Sequence, residues 1–236
     1  MSNLLIRILK RLEAKNHYFI INIDKKSNSK DDFYRKIENI HNVIKVTSFS
    51  IAHGGLTQIT TTLYQMQFCM HYPIEFDYYH SISGQDYPMV SNQKFDAIFE
   101  REIPNNYIQI DSSEELTVWR KTKYPKRLNH YYLHDVIQNK LLHRTKMFSI
   151  LSHIAMLIPR DKFTFLYPIW GGKNWFSLNK IAIRYILSYF NQYPEILNRL
   201  KYTDCADELI FNSILMKQNT IPVISDNSFG CVKSFV

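Results

Sequence analysis

The stretch Tyr18-Phe-Ile-Ile-Asn-Ile23 is followed directly by Asp24-Lys-Lys-Ser27. The first part is apolar and partly β-branched, which is typical of a buried parallel strand. The second part is polar and predicts a loop at the carboxyl end of that strand. A helix is predicted before this strand, from about Asn3 to Ala14, and another after it, from about Asp31 to Ile40.

The same alternation of strand and helix continues along the chain. Further strands are predicted at 43–49, 76–82, 106–110 and 221–224, and further helices at 56–70, 93–100, 136–158, 180–190 and 206–217. Residues 170–174, which contain two glycines, are expected to form a loop. No repeat or linker interrupts the pattern. It predicts one α/β domain over residues 1–236, with a mainly parallel sheet flanked by helices.

Polar residues follow two of the predicted strands. Asp24 comes after the strand at 18–23, and the turn Ser83-Gly-Gln-Asp-Tyr-Pro88 comes after the strand at 76–82. Ligands of open α/β sheets bind at the carboxyl ends of the strands. We therefore expect Asp24 and the turn to lie near one another at a binding site.

The chain is basic, with a formal net charge of +8 and a pI of about 9.2. A positive balance suits an anionic partner, such as nucleic acid, a membrane surface or a phosphorylated small molecule. The densest cationic cluster consists of Arg120, Lys121, Lys123, Lys126 and Arg127. It is either a solvated face or part of a site. The sequence has no zinc-finger spacing or other nucleic-acid motif, so nucleic acid is not expected as a partner.

The three cysteines, Cys69, Cys205 and Cys231, are far apart and odd in number, which fits a reducing compartment. The first residues show no signal-peptide pattern, so a cytoplasmic location is expected. Leu4, Leu5, Ile8 and Leu12 recur at helical spacing beside basic residues. This helix either lies on a membrane surface or packs on the sheet, and the second interpretation is favoured.

Three segments together resemble one known family. They are Asn22-Ile-Asp-Lys-Lys-Ser27, Ser83-Gly-Gln-Asp-Tyr-Pro88, and Asp207-Glu208 opening a helix after Trp170-Gly-Gly-Lys-Asn-Trp-Phe-Ser-Leu178. Their order and spacing resemble the core-2/I-branching β-1,6-N-acetylglucosaminyltransferases, a family that includes the peptide O-xylosyltransferases. The resemblance runs from about Leu5 to Ile224.

This resemblance implies a GT-A-like, Rossmann-like fold. It also implies an inverting transfer from UDP-N-acetylglucosamine or UDP-xylose to a hydroxyl of a glycan or polysaccharide precursor. No cofactor and no divalent metal are expected, and the nearest match to a metal-binding Asp-x-Asp, Glu75-Phe-Asp77, stands at the start of its strand rather than after it. The resemblance also suggests an enzyme of bacterial type that works in the cytoplasm, at the inner membrane face.

The resemblance assigns the general base to Glu208, with Asp207 as its helix-capping neighbour. It assigns Asp24, Lys25 and Lys26 to the uridine end of the donor. His53 takes an aromatic position that borders the nucleotide, followed by Gly54 and Gly55, which would allow a close approach of backbone to ligand. On local sequence alone, Asp207 and Glu208 would instead be ordinary first-turn acids of a helix.

On the acceptor side, the resemblance points to Gln109, Arg127 and Trp175. Gln109 stands where relatives place an acid, and Arg127 is followed by Tyr132 at the family's spacing. The alternatives are a surface cation for Arg127 and a core aromatic for Trp175. The turn at the site contains Ser83, Gly84 and Asp86, and we expect Asp86 to fix the turn by hydrogen bonds.

The family pattern includes a first strand ahead of the opening helix and a basic C-terminal tail that neutralises the diphosphate, and neither is evident here. Such electrostatic stabilisation is commonly the largest contribution to catalysis. Lys233 or the cluster at 120–127 is a candidate substitute. The alternative function is therefore a non-catalytic domain of the same fold that binds sugar or a partner protein.

Overall fold

The computed structural model describes residues 2–28, 30–100, 105–136, 145–161, 168–218 and 222–224. The helices are α1 (Ser2–Leu12), α2 (Lys30–Ile37), α3 (Leu56–His71), α4 (Asn92–Phe99), α5 (Ser113–Lys121), α6 (Lys123–Asn129), α7 (Lys146–Leu157), α8 (Lys180–Gln192), α9 (Glu195–Leu200) and α10 (Asp207–Lys217). The strands are β1 (Phe19–Asn22), β2 (Val43–Thr47), β3 (Tyr78–His80), β4 (Asn106–Ile110), β5 (Gly172–Asn179) and β6 (Val223–Ile224).

The strands form two sheets. β1 and β2 pair in parallel, and a four-stranded sheet has the order β3-β5-β4-β6. In the larger sheet, β5 is antiparallel to both neighbours, while β4 and β6 are parallel. The α/β class is as expected, but the larger sheet is mixed rather than mainly parallel. The reason is that β5 lies between β3 and β4 and runs opposite to both.

The centre of the larger sheet is a strand that the sequence pattern did not reveal. Residues 170–174 were expected to be a loop, yet β5 begins at Gly172. A Cβ at Gly172 would lie 1.8 Å from the carbonyl oxygen of Gln109, so only glycine permits this strand to approach β4. Phe176 and Leu178 then alternate into the core.

Two hydrophobic clusters hold the elements together. The smaller one joins α1, β1 and α2, and its buried members include Leu9, Phe19 and Phe33. The larger one lies where α3, α8 and α10 cover β4 and β5, and Leu178 and Ile186 are fully buried there. The apolar side of α1 is thus covered, with Ile8 0% and Leu9 3% exposed. This confirms the interpretation of α1 as a packed helix rather than a membrane-surface helix.

A cleft of about 1710 Å³ lies between the two sheets. Its walls include β1 residues 19–22 on one side and β3 residues 78–80 on the other. Several polar residues of the predicted site also line this cleft, including Ser83, Asp86 and Asp207. The separation of the sheets therefore leaves room for a ligand beside the turn at 83–88.

Three short helices, α5, α6 and α9, were not predicted. For α5 a local signal was present, because Ser112 and Glu115 form a reciprocal capping box. The predicted helix at 136–158 appears as α7 in its second part, and residues 137–144 lie outside the described residues. No helix within the described ranges is long and apolar enough to cross a membrane.

Candidate functional site

The start of α10 carries Asp207 and Glu208. The helix follows Cys205, whose φ of 45° is uncommon for a residue with a side chain. Cys205 donates its N–H to the carbonyl oxygen of Gly54 at 2.9 Å. A Cβ at Gly54 would lie 3.2 Å from Cys205 Sγ, and Gly54 itself has a φ of +74°, so glycine suits this contact. The loop after β2 thus fixes where α10 begins.

Glu208 is paired with an arginine from α6. Arg127 Nη1 donates a hydrogen bond to Glu208 Oε2 at 2.6 Å. Arg127 Nε lies 3.5 Å from Asp204 Oδ2, and His134 Nε2 lies 2.8 Å from Asp204 Oδ1. The side chain of Arg127 is 14% exposed and that of Glu208 is 40% exposed. Arg127 is therefore not a surface cation, and Glu208 presents a held carboxylate to solvent.

The charges of Arg127 and of the carboxylates beside it stabilise one another. Burial lowers the pKa of Arg127, but the hydrogen bond to Glu208 and the neighbouring negative charges outweigh it and leave the pKa raised. Burial raises the pKa of Asp204, but the hydrogen bond from His134 and the charge of Arg127 outweigh it and leave the pKa lowered. Arg127 and Asp204 are therefore both charged at neutral pH.

Asp207 plays a different part from the one expected. The N-cap of α10 is Ala206, which makes no side-chain cap hydrogen bond. Asp207 is buried and accepts a hydrogen bond from Asn174 Nδ2 at 2.5 Å, which ties α10 to β5. Its other oxygen, Oδ1, is buried with no hydrogen-bond partner among the described residues. Burial, and then the charge of Glu208, raise the pKa of Asp207.

The turn after β3 is held by Asp86. Asp86 Oδ2 accepts hydrogen bonds from Ser83 N at 2.5 Å and from Trp175 Nε1 at 3.0 Å. This is the fixing role expected for Asp86. It also places Trp175, expected as an acceptor platform, against this turn. Ser83, Gly84 and Asp86 line the cleft together with Asp207, so the structure brings the turn and the start of α10 to one cavity.

The loop after β1 is tied to the loop after β2. Asp24 Oδ1 accepts from Lys26 N at 2.9 Å, and Lys26 Nζ donates to the carbonyl oxygen of Ile51. Lys25 N donates to the carbonyl oxygen of Phe49 at 3.0 Å, and the Lys25 side chain is exposed. Since the chain runs on from Ile51 to Gly54, these bonds connect the expected donor residues to the segment that contacts α10.

The glycines of the segment His53-Gly54-Gly55 allow other parts of the chain to pack closely against it. A Cβ at Gly55 would lie 2.6 Å from Asp135 Oδ2. The Asp135 carboxylate accepts from Leu56 N at 2.5 Å and Thr57 N at 3.3 Å, so it caps the first turn of α3 from another part of the chain. The close approach expected here for a ligand is made by Asp135. His53 is exposed, and its charge lowers the pKa of Asp207.

Gln109 is the remaining residue that was expected on the acceptor side. Gln109 lies on β4, where its side-chain oxygen Oε1 is buried without a hydrogen-bond partner in the described part of the chain. Two residues on, Asp111 accepts a hydrogen bond from Tyr124 Oη at 2.6 Å. Burial is the main cause of a raised pKa at Asp111, and the charges of Glu115 and, to a smaller extent, Glu208 add to it. Asp111 is thus a carboxylate near Glu208.

Sequence reasoning missed Asp111, although a signal for it existed. It follows β4 directly, as Asp24 closely follows β1. Glycine at position 171 leaves room for the hydrogen-bonded side chains of Tyr124 and Asp111. A Cβ there would lie 1.8 Å from Tyr124 Oη and 2.6 Å from Asp111 Oδ2. A strand end followed by an acid, opposite a glycine pair, was the pattern to look for.

The cationic cluster at 120–127 is not one solvated face. Arg120 donates to the carbonyl oxygen of Ile169 at 2.7 Å and lies 4.6 Å from the centroid of the Trp170 ring. Lys123 Nζ lies 3.7 Å from the centroid of the Trp119 ring. Lys121 and Lys126 are exposed. Lys233, the other candidate for neutralising a diphosphate, lies outside the described residues.

Over the ranges that the structure describes, no three His, Cys, Asp or Glu side chains are grouped so that they could hold an ion.

Comparison with known proteins identifies the family. The sequence profile of the Core-2/I-Branching enzyme family matches residues 2–227. Among curated proteins, xylosyltransferase 1 of Rattus norvegicus is 23% identical over 234 residues, covering 96% of this chain and 26% of the relative. Xylosyltransferase 1 of Homo sapiens is also 23% identical over 234 residues, covering 96% of this chain and 22% of the relative. Xylosyltransferase 2 of Pan troglodytes is 22% identical over 226 residues, covering 94% of this chain and 24% of the relative.

The chain thus spans about a quarter of the length of these curated relatives. The profile match, in contrast, extends over nearly the whole chain, from α1 through β6. It includes the turn at 83–88, the loop after β1 and the acidic start of α10, which are the three segments that carry the sequence resemblance. This chain belongs to the core-2/I-branching enzyme family.

Proposed function

We propose that the protein is a glycosyltransferase that moves N-acetylglucosamine or xylose from a UDP-sugar to a hydroxyl of a glycan or polysaccharide precursor. The transfer inverts the anomeric configuration and uses no metal ion. The observation that carries the proposal is the pair of Glu208 and Arg127 at the solvent-accessible start of α10, in a chain of this family.

Glu208 acts as the general base. Its carboxylate takes the proton of the acceptor hydroxyl while that oxygen attacks the anomeric carbon from the face opposite the diphosphate. The bond from the anomeric carbon to the diphosphate oxygen breaks, and UDP leaves. Arg127 holds one carboxylate oxygen through a 2.6 Å hydrogen bond and thereby orients the base.

The proposed donor site borders the cleft between the sheets, whose lining includes Ile51, Ser83 and Asp207. Asp24, Lys25 and Lys26 contact the uridine end, with His53 bordering the base. Lys25 and Lys26 are the cations of the loop after β1, and their charges offset part of the charge of the diphosphate. The bonds from this loop to Phe49 and Ile51 support a preformed donor site.

Donor binding is tested by calorimetry with UDP-N-acetylglucosamine and UDP-xylose in the presence of EDTA. We expect saturable binding of at least one donor, weakened in Asp24→Ala. Glu38→Ala is the matched control, because it removes an exposed carboxylate beyond the end of α2. Absence of binding by both nucleotides would contradict the donor site and favour a non-catalytic domain.

The base is tested by turnover with the donor that binds. Glu208→Gln keeps the size of the side chain but accepts no proton, so we expect kcat to fall by about 10²- to 10⁴-fold while donor affinity is kept. Glu38→Gln should leave turnover unchanged. Normal turnover by Glu208→Gln would show that another group takes the proton, and Asp111 would then be examined first.

A further inference from the structure

Asp204 and Glu208 lie on either side of the turn that leads into α10, and both contact one arginine. Arg127 Nη1 donates to Glu208 Oε2 at 2.6 Å, and Arg127 Nε lies 3.5 Å from Asp204 Oδ2. The donors of a guanidinium have a fixed planar arrangement, so a carboxylate that holds Nε also sets the direction in which Nη1 points. Asp204 is therefore placed to orient the Glu208 carboxylate through Arg127.

Asp204 is itself held from a second direction. His134 Nε2 lies 2.8 Å from Asp204 Oδ1. An ionised carboxylate only accepts hydrogen bonds, so Nε2 carries the hydrogen and donates it. The His134 ring also stacks on Tyr132, with the ring centroids 5.9 Å apart and an angle of 16° between the rings. The series His134, Asp204, Arg127 and Glu208 thus alternates donors with acceptors.

The turn between the two carboxylates has an uncommon backbone conformation. Cys205 has a φ of 45°, in the left-handed region that residues with a side chain rarely adopt. Its N–H donates to the carbonyl oxygen of Gly54 at 2.9 Å, and its carbonyl oxygen accepts from Glu208 N at 3.2 Å. Such a conformation costs free energy and persists where the surrounding contacts determine it, which occurs mostly at functional sites.

The sharing of one cation by two carboxylates has an electrostatic consequence. Arg127 is 14% and Asp204 25% exposed, so water screens their charges less than at an open surface. If Arg127 served Glu208 alone, its full positive charge would favour the ionised carboxylate and weaken Glu208 as a proton acceptor. The negative charge of Asp204 offsets part of that positive charge. Glu208 is thereby oriented by Arg127 and still able to take a proton.

We infer that Asp204, held by His134, is a positioning residue for Glu208 and acts on it through Arg127. It fixes the guanidinium that orients the base, and its charge keeps the base able to accept a proton. The inference rests on the proposed function, in which Glu208 takes the proton of the acceptor hydroxyl.

Asp204→Asn separates charge from shape, because it keeps a side-chain oxygen for Arg127 and removes the negative charge. We expect the carboxyl group of Glu208 to titrate at a lower pH in this variant than in the wild type, by about half a pH unit or more. Carbon-13 NMR of the glutamate carboxyl groups measures this titration, and the spectrum of Glu208→Gln assigns the signal. This measurement requires no substrate.

Turnover gives a second reading of the same variants. In Asp204→Asn the acid limb of the pH–rate profile should move to lower pH, in the direction of the NMR titration. Asp204→Ala leaves the guanidinium without its second partner, so we expect kcat to fall by about 10- to 100-fold while donor affinity is kept. In the Glu208→Gln background Asp204→Asn should change kcat no further, because no base remains to be positioned.

The control is Asp161→Asn, which removes the same charge from an exposed side chain outside the series. It should leave the Glu208 titration and the pH–rate profile as in the wild type. Other titratable groups interact electrostatically with members of the series, and they are the same in the wild type and in Asp204→Asn. They are Asp111, Tyr124, Tyr132, Cys205 and Asp207.

Two results would overturn the inference alone, in a wild type that transfers sugar. One is a Glu208 titration and an acid limb that Asp204→Asn leaves unchanged, even if the variant is less stable, since that is the result of a merely structural role. The other is an undiminished effect of Asp204→Asn on kcat in the Glu208→Gln background. Absence of turnover in the wild type would overturn the proposed function, and the inference with it.

Discussion

At the scale of the residue, Arg127 is the side chain on which the geometry around Glu208 depends. It hydrogen-bonds Glu208 and neutralises Asp204, while only 14% of its side chain is exposed. A guanidinium suits this position because its planar fork serves two carboxylates at once. Without it, the carboxylates of Asp204 and Glu208 would lose the cation that they share.

Replacing Arg127 with methionine should therefore lower both stability and turnover. We expect the free energy of unfolding at pH 7 to fall by about 1–3 kcal/mol, since Asp204 loses a charged partner. The lowered pKa of Asp204 contributes stability above the unfolded value of 3.8, and this contribution is lost as pH falls through the folded pKa. The difference between wild type and variant should accordingly shrink in acid, as measured by urea unfolding at several pH values.

Lys126→Met is the control, because Lys126 is the exposed neighbouring cation. This substitution should change the free energy of unfolding and the turnover no more than an ordinary surface substitution does. Equal effects of the two substitutions would mean that loss of net charge, rather than loss of the pair, is responsible.

A second residue-scale prediction concerns His80, which lies among Phe95, Phe99 and Tyr78 and contacts Ser177 Oγ through Nδ1 at 2.8 Å. Burial lowers its pKa from 6.5 to about 4, and the nearby His17 adds to this effect. Between these pH values the unfolded chain binds the proton and the folded chain does not. Stability should therefore fall as pH falls from about 6.5 to 4, by about 2–3 kcal/mol from this residue.

Urea unfolding of the wild type and His80→Gln at pH 7 and pH 4.5 measures this contribution. The variant has no imidazole to titrate, so its stability should change less between the two pH values. His41→Gln, at an exposed histidine, should behave as the wild type. A variant with undiminished pH dependence would assign the acid sensitivity to other groups, such as the neighbouring pair of His17 and Asp96.

At the scale of the element, the start of α3 depends on a residue far along the chain. The N-cap is Gly55, which has no side chain to accept a hydrogen bond. Asp135 supplies the missing acceptor to Leu56 and Thr57 and also places a negative charge at the helix N-terminus. The helix and the segment after α6 are thus joined through one carboxylate.

Asp135→Ala should cost about 1–2 kcal/mol in the free energy of unfolding, the usual effect of losing a helix cap. Gly55→Ala should also destabilise, because its Cβ would meet the Asp135 carboxylate at 2.6 Å. In the Asp135→Ala background the same glycine substitution should cost little, since the clash is gone. Chemical denaturation of the two single variants and the double variant measures this coupling.

Asp161→Ala, at an exposed carboxylate, serves as the control for loss of charge. Additive costs for Gly55→Ala and Asp135→Ala would contradict the direct contact. The prediction concerns stability alone and is independent of any role of this segment toward a nucleotide.

At the scale of the whole molecule, two hydrophobic clusters support two sheets. The smaller cluster holds α1, α2 and the β1–β2 pair, and the cleft separates β1 from β3. A part of the protein with a small separate core is expected to open more readily than the rest. The loop after β1, which carries the residues proposed to bind the donor, belongs to this part.

Phe33→Ala should loosen that part selectively. Phe33 is 3% exposed in the smaller cluster, and truncation of such a buried ring costs about 3–5 kcal/mol. Hydrogen exchange followed by mass spectrometry should show faster exchange in α1, α2 and β1, with the four-stranded sheet less affected. Leu178→Ala, fully buried in the larger cluster, should show the opposite distribution. Uniform loss of protection in both variants would mean that the clusters unfold as one unit.

The sequence by itself determined the family, the α/β class and most of the elements. The strand at 106–110 is predicted at its observed bounds, and α3, α8 and α10 are predicted to within two residues. These features are local: hydrophobic periodicity, glycine breaks and the short motifs at 22–27 and 83–88 are readable within a few residues. The assignments of individual site residues to donor, acceptor and base remain predictions.

The tertiary structure alone decided how the site is assembled. Arg127 and Glu208 are 81 positions apart, and Asp135 and Leu56 are 79 positions apart. It also decided that β5 lies at the centre of the mixed sheet, and that α7 rather than α1 keeps its apolar face exposed. Such pairings depend on which surfaces meet after folding. Local periodicity and propensity describe each element separately and carry no information about its neighbours in space.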